Sequence, residues 1–444
     1  MKLWNTYQPL DKAVENFTIG NDTTWDMELA PFDIIGSIAH TKMLTAVKLL
    51  AKQEETLLVK ELINLYKEVE NKSFLFEEGV EDVHSQVEKI LTDRLGEMGK
   101  KIHTARSRND QILLDLRLYS RNEIKHLVER ANELFLLLIE LSEKYKEEIL
   151  PGYTHYQVAM PSSFGLWFGA FAESLTDDLI LLSAAYRIVN QNPLGSAAGY
   201  GSSFPIRRDI TTQLLGFGTL SYNSIYAQMG RGKTEKVVAF ALSSIAATLS
   251  KLAMDVCLFS SQNFDFISFP DEFTTGSSIM PHKKNPDVFE LIRAKCNKIQ
   301  SVPNDIALIT ANLPSGYHRD FQILKEIYLP AFSTLTDCLH MTTLLLSHIE
   351  IKNNILNEER YKYMFSVEEI NKKVKAGMSF REAYKEVAKE IAENKYQPDK
   401  KLLHTHEGSI GNLCNDKIRS KMEEVISEFD FSKADEAIKN LLRT

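Results

Sequence analysis

Cysteine is scarce in this 444-residue chain, and Cys257, Cys296, Cys338 and Cys414 are too scattered to form a CxxC pair. That spacing suggests neither a disulfide framework nor a thiolate zinc site and points to a reducing, cytoplasmic setting. A surplus of positive charge is also missing. The formal net charge of -8 argues against a nucleic-acid partner, since binding a phosphate backbone relies on a basic footprint. The longest apolar uncharged stretch, Val237 to Ser250, carries Ser and Thr and is short for a bilayer span of about 20 residues. Met1 to Asn5 shows no apolar core of a signal sequence. Alternating strand patterns are scarce and no βαβ series is visible, which leaves helices to build the fold.

Helical spacing is plentiful. From Ile124, the residues Leu127, Val128, Ala131, Leu134, Phe135 and Leu138 repeat at three and four along one face, with Glu123, Lys125, Glu129, Arg130 and Glu133 on the other. Pro151-Gly152 is expected to stop this helix. Phe164 to Val189 is apolar nearly all round, broken mainly by Glu173, Asp177 and Asp178, and a similar segment runs from about Thr234 to Phe264. Further helices are expected from Pro286 and from Leu324 to Ile349. The expected architecture is mainly α with three helical domains: 1–105, a central long-helix bundle over 106–356, and a small C-terminal domain over 357–444. Such apolar long helices favour oligomerisation.

Four polar clusters interrupt this pattern: His103 to Gln111, Gly152 to Gln157, Gly276 to Pro286, and Tyr317 to Gln322 with Lys325. The third places a candidate base beside anion-binding groups, which suggests elimination chemistry. Gly276, Ser277 and Ser278 give a mobile hydroxyl-bearing loop, and Pro281 and Pro286 stiffen the arm carrying Lys283 and Asn285. Arg106, Ser107, Arg108 and Asn109 precede a helix starting near Asp110, where free amides favour carboxylates; capping by Ser107 or Asn109 is the plainer alternative. His155, in a Gly-Tyr-Thr-His turn, suits acid–base work, although a histidine at a helix junction is often structural. Glu290, early in the helix after Pro286, could hold a histidine's second nitrogen.

Other motifs carry less. Gly232-Lys233-Thr234 lacks the earlier glycine and the strand of a phosphate loop, and Gly195 to Gly201 lacks GxGxxG spacing, so close backbone packing suits it better. His404-Thr405-His406 is too sparse for a metal site. No metal and no cofactor is expected.

In order on a helical chain, these clusters resemble the fumarase/aspartase superfamily and, within it, the argininosuccinate lyase family. Gly276 to Pro286 matches the superfamily loop, His103 to Gln111 resembles HTGRSRNDQ, Gly152 to Gln157 resembles GYTHLQ, and Ser379 to Ala383 looks like PFREAH. The likeness extends from about Phe17 to Arg381. It implies cofactor-free cleavage of argininosuccinate to arginine and fumarate in arginine synthesis, by a homotetramer whose active sites each draw on three subunits. Adenylosuccinate lyase and a non-catalytic crystallin-like homologue are the alternatives.

The resemblance makes Ser277 the base, Lys283 and Asn285 the clamp for the aci-carboxylate, and His155 the proton donor or relay paired with Glu290. Substrate binding falls to Asp26, Ser107, Arg108, Asn109, Thr154, Ser278, Tyr317, Gln322 and Lys325. Some residues depart from the family pattern. Asp22 stands where the family usually has a serine, and that serine's binding role is not carried over to it. Ala105 replaces glycine and His282 replaces glutamine. Ala227 to Lys233 replaces a segment resembling AVSDRDF, with Arg231 kept.

Overall fold

The structure is a computed structural model that describes residues 11–352 and 355–443. The reading of Met1 to Asn5 lies outside the described residues. The chain is mainly helical, as the spacing predicts, and its three sheets among the described residues have two strands each. Its centre is built from Arg108–Lys144, Phe164–Val189, Lys233–Phe259, Asp287–Ile299 and Leu324–Leu346, which pack on one another. The apolar face read from Ile124 to Leu138 is buried as expected, and Phe168, Leu175, Leu242, Ile245 and Leu249 meet it in one continuous core. Asp178 is buried within that core, and it accepts from Ser244 Oγ at 2.5 Å and Thr248 Oγ1 at 2.7 Å, which meets the cost of enclosing a carboxylate.

Lys233–Phe259 is long and apolar enough to cross a membrane, and more than half of its apolar stretch is buried. Here it is a bundle helix, packed on Phe164–Val189 and Asp287–Ile299. Asp22–Ala46, Lys52–Glu70 and Val83–Leu95 form a second core around Ile34, Leu62 and Val87, and Leu441 from the far C-terminus packs into it. Ile370, Ala383, Val387 and Tyr396 make a small separate core.

Two local expectations change. The helix before Pro151-Gly152 already ends at Lys144, and those two residues lie in a strand, Ile149–Thr154, paired antiparallel with Gln157–Ser163. Pro151 faces Pro161 across the pair, and the register shifts between Pro151 and Tyr153. Pro286 is the N-cap rather than the first helical residue.

Candidate active site

The N-terminus of Arg108–Lys144 is fixed by Ser107, whose hydroxyl accepts from the Asn109 amide at 3.2 Å, while Asp110 Oδ1 accepts from the Ser107 amide at 2.9 Å. Ser107 is thus the helix cap, the plainer of its two readings. Asp110 Oδ2 also accepts from the Gly195 and Ala197 amides, both at 2.9 Å. The glycine-rich segment therefore wraps a buried carboxylate, and φ of +87° at Gly195 and +51° at Ala197 turns those amides inward.

Beside this cap lies a cavity of about 190 Å³, lined by Asp26, Arg108, Asn109, Tyr317, Gln322 and Lys325 from the expected set, together with Asp22, Glu81, Asp82, His84, Ile112, Arg231 and Arg319. Asp22 and Asp26 are one turn apart on one helix face, so both reach the same cation. Lys325 Nζ lies 2.5 Å from a carboxylate oxygen of each. Asp26 Oδ2 accepts from the Val83 amide at 3.0 Å, locking three helices together. Burial opposes the charge of Lys325, but the two carboxylates hold its pKa above the usual value. Burial raises Asp22 to about 6 against the pull of Lys325. At the rim, Arg108 is 3.0 Å from Asp82 and Arg319 is 2.7 Å from Glu81. Gln322 Nε2 donates to the Thr18 and Ile19 carbonyls at 2.9 and 3.2 Å, so it anchors the preceding segment as well as facing the cavity.

Beneath the cavity, His84 Nδ1 sits 2.9 Å from Asp33 Oδ1 and 3.6 Å from Asp115 Oδ2. Burial would lower this histidine, but the two carboxylates carry it up to about 9. Their ligand atoms are close enough to surround an ion. The imidazolium proton between the carboxylates already supplies that positive charge. Arg106, half-buried nearby, donates to Ser37 Oγ at 2.9 Å.

Thr154 and His155 sit elsewhere, at the exposed end of the hairpin. His155 and Tyr156 form its two-residue turn with φ of +52° and +58°, the left-handed pair of a type I′ turn, which normally selects Asn-Gly. Two bulky residues held there mark a strained backbone of the kind found at functional sites. The hairpin borders a cavity reaching Asp255, Leu258 and Phe259, at the C-terminal end of Lys233–Phe259. Arg231, just before the start of that helix, lines the first cavity. The two places are therefore roughly 40 Å apart along the helix.

The third group also lies at that far end. Thr275 and Asn285 bridge as a short antiparallel pair, with the Asn285 amide 2.8 Å from the Thr275 carbonyl, and residues 276–284 protrude between them. Ser277 Oγ accepts from the Ile279 and Met280 amides at 3.4 and 3.2 Å. Ser278 and Lys283 are exposed, and Lys283 makes no ion pair among the described residues. Asn285 borders a cavity with His282, Ser260 and Leu345. Glu290 is exposed and lies 3.9 Å from Arg293. No hydrogen bond or ion pair joins it to His155 among the described residues.

One chain thus brings six of the expected residues to one cavity and leaves Thr154 and His155 at a second place and Ser277, Ser278, Lys283, Asn285 and Glu290 at a third. Glu81, Asp82 and His84 escaped the sequence reading, and Arg319 stood in the Tyr317 to Gln322 cluster without a role of its own. His84 and Asp33 had one readable signal, a charged pair of types set inside otherwise helical apolar spacing; Arg319 had none beyond its neighbour Gln322.

A family profile described as Lyase matches residues 2–301. Argininosuccinate lyase of Parabacteroides distasonis is 59% identical over 441 residues, covering 99% of this chain and 99% of the relative. That of Thermotoga neapolitana is 38% identical over 394 residues, covering 89% and 99%. Among solved structures, EDDS lyase in complex with formate superposes with a TM-score of 0.76 at 21% identity, covering 99% of this chain and 95% of the other. A fumarate lyase:delta crystallin from Brucella melitensis bound to cobalt gives 0.72 at 17%, covering 94% of each. The latter two likenesses show the fold, whereas near-complete identity-rich alignment carries the assignment: the chain belongs to the argininosuccinate lyase family of the fumarase/aspartase superfamily.

Proposed function

We propose that the protein cleaves argininosuccinate to arginine and fumarate by β-elimination, in arginine biosynthesis in the cytoplasm. The observation that carries this reading is the cavity where Asp26, Arg108, Asn109, Tyr317, Gln322 and Lys325 converge, in a chain 59% identical over 441 residues to a curated argininosuccinate lyase. Alternating acids and bases suit a substrate that carries several carboxylates, an ammonium and a guanidinium.

The chemistry follows from the exposed loop. A proton next to a carboxylate is weakly acidic, so its removal requires donors placed where charge accumulates. Lys283 and Asn285 supply them on the stiff arm. Two backbone amides already point at Ser277 Oγ, which favours its alkoxide and makes it a usable base. The C–N bond then breaks as the succinyl β-carbon loses its proton, and the departing guanidine takes up a proton readily because its conjugate acid has a pKa of roughly 12.5 to 13.8. His155 acts as relay and positioning group on the strained turn, with Glu290 as its orienting carboxylate.

Because the cavity and the two reactive groups sit at opposite ends of the bundle, the complete site is built by assembly, and a homotetramer with three chains per site is our reading. Ile180 and Leu181, Phe240, and Leu291 are large apolar side chains left exposed on three bundle helices, as surfaces that pack against copies of the chain would be. The division into parts at 105 and 356 belongs to the same reading.

Fumarate release followed by ultraviolet absorbance, with argininosuccinate and adenylosuccinate offered separately, tests it. Turnover of argininosuccinate is expected. Fumarate from adenylosuccinate alone, or from neither, overturns it.

A further inference from the structure

Arg108 and Asn109 line the cavity from the first turn of Arg108–Lys144, and Tyr317 faces it from a loop remote in sequence. Residues 195–201 line no part of the cavity, yet they touch what holds each of its walls. The segment is closed on itself. The Ser196 carbonyl accepts from the Gly199 and Gly201 amides at 2.9 and 3.0 Å. Arg208 pins its entry by donating to the Leu194 and Pro193 carbonyls at 2.8 and 3.1 Å.

Contacts leave this knot toward three walls. At its start, the Gly195 and Ala197 amides converge on Oδ2 of Asp110, which has no exposed surface and holds the Ser107 amide with its other oxygen. In its middle, Gly199 lies so close to Gln228 that a Cβ there would stand 2.6 Å from Gln228 Cγ. Gln228 is buried shortly before Arg231, which lines the cavity. Beyond it, the Tyr200 hydroxyl reaches Gly316, where a Cβ would lie 3.5 Å away, and Gly316 adjoins Tyr317. Tyr200 is 72% exposed, so the knot and not the core sets its position. Binding groups work only when their supports hold them to within about 0.5 Å of the productive geometry.

Resting on the lyase reading above, we propose that residues 195–201 brace the cavity, with Asp110 and Tyr200 as positioning residues for the substrate-binding walls. Asp110 ties the brace to the turn that presents Arg108 and Asn109, and Tyr200 ties it to the loop that presents Tyr317. Neither touches the substrate. Ser277 and His155 are carried by other parts of the fold and do not depend on the brace.

Fumarate release from argininosuccinate by the wild type is measured first and tests the lyase reading by itself. Steady-state kinetics then compare the wild type, Asp110→Asn, Tyr200→Ala and the double variant, with circular dichroism and sedimentation to establish folding and assembly. With its single oxygen, an Asn side chain can meet the Ser107 amide or the amides of the brace, but not both. Asp110→Asn is expected to raise KM by about tenfold to a hundredfold, the range for hydrogen bonds to a charged group, with kcat within about threefold. Tyr200→Ala, at an exposed position, should raise KM by about threefold to tenfold at unchanged kcat. In the Asp110→Asn background the same change should have almost no effect, because the brace is already released at its root.

Full multiplication of the two KM effects would overturn the brace and leave two independent contacts. So would an unmoved KM in either folded single variant, or a fall in kcat alone. If Asp110→Asn does not assemble, Tyr200→Ala decides: a raised KM at unchanged kcat supports the proposal, and an unchanged KM overturns it. An inert wild type overturns the lyase reading and this proposal with it, whereas an active enzyme indifferent to the substitutions overturns this proposal alone.

Discussion

Replacing Asp33 by Asn keeps the shape of a buried acceptor and removes its charge. Asp33 and His84 are 1% and 7% exposed, and Asp33 Oδ1 accepts from His84 Nδ1 at 2.9 Å and from Gln111 Nε2 at 3.2 Å. Burial opposes the histidine's charge, and Asp33, assisted by Asp115, overcomes it to hold the pKa at about 9. A rise from 6.5 to about 9 corresponds to roughly 3 kcal/mol of stability. Because the folded value lies above the unfolded one, that contribution is complete below pH 6.5 and fades as pH climbs through about 9. Urea midpoints followed by far-ultraviolet circular dichroism should therefore fall for the wild type across that window. Asp33→Asn should start lower by roughly 3 kcal/mol and stay nearly flat. Asp115→Asn should cost less, since Asp115 stands 3.6 Å from His84 Nδ1 against 2.9 Å for Asp33. Parallel slopes for wild type and Asp33→Asn between pH 6.5 and about 9 would refute the reasoning.

Ser277→Ala should lower the rate of fumarate formation by about a hundredfold to ten-thousandfold while calorimetric arginine binding persists, because the loop lies away from the cavity. Joint refolding of Ser277→Ala with His155→Ala should restore turnover that neither variant has alone, since mixed assemblies contain sites with both groups intact; no recovery despite mixed oligomers would count against composite sites. KM for argininosuccinate should rise as pH falls through about 6, where Asp22 takes up a proton among Lys325, Asp26, Arg231 and His84. Asp22→Asn should lose that limb of the profile, and an unchanged limb would assign it to another group.

The long helices were legible because their apolar residues recur at three and four over many turns. The hairpin was not: its strands are short, carry Pro151 and Pro161, and so read as a helix stop. Ser107 and Lys325 were findable from local motifs. Glu81 and Asp82 are neighbours just before Val83–Leu95, and they meet Arg319 only through the tertiary fold, which no local spacing encodes. The Asp22–Asp26 pair was visible at its helical spacing, yet the lysine that gives it meaning lies some 300 positions away and is set there by the core. Asp33 and Asp115 each interrupt an apolar stretch, Leu29 to Ile38 and Ile112 to Leu118, and that interruption is the cue a closer reading could use.

The helix Arg108–Lys144 runs for 37 residues, or about 55 Å, with the cavity at one end and the hairpin following the other. On the composite-site reading proposed above, it acts as a spacer that keeps a lone chain from closing its own site. An isolated copy is then not a sluggish enzyme but a silent one, and specific activity becomes a function of protein concentration, falling on dilution below the dissociation constant of the assembly and returning by mass action.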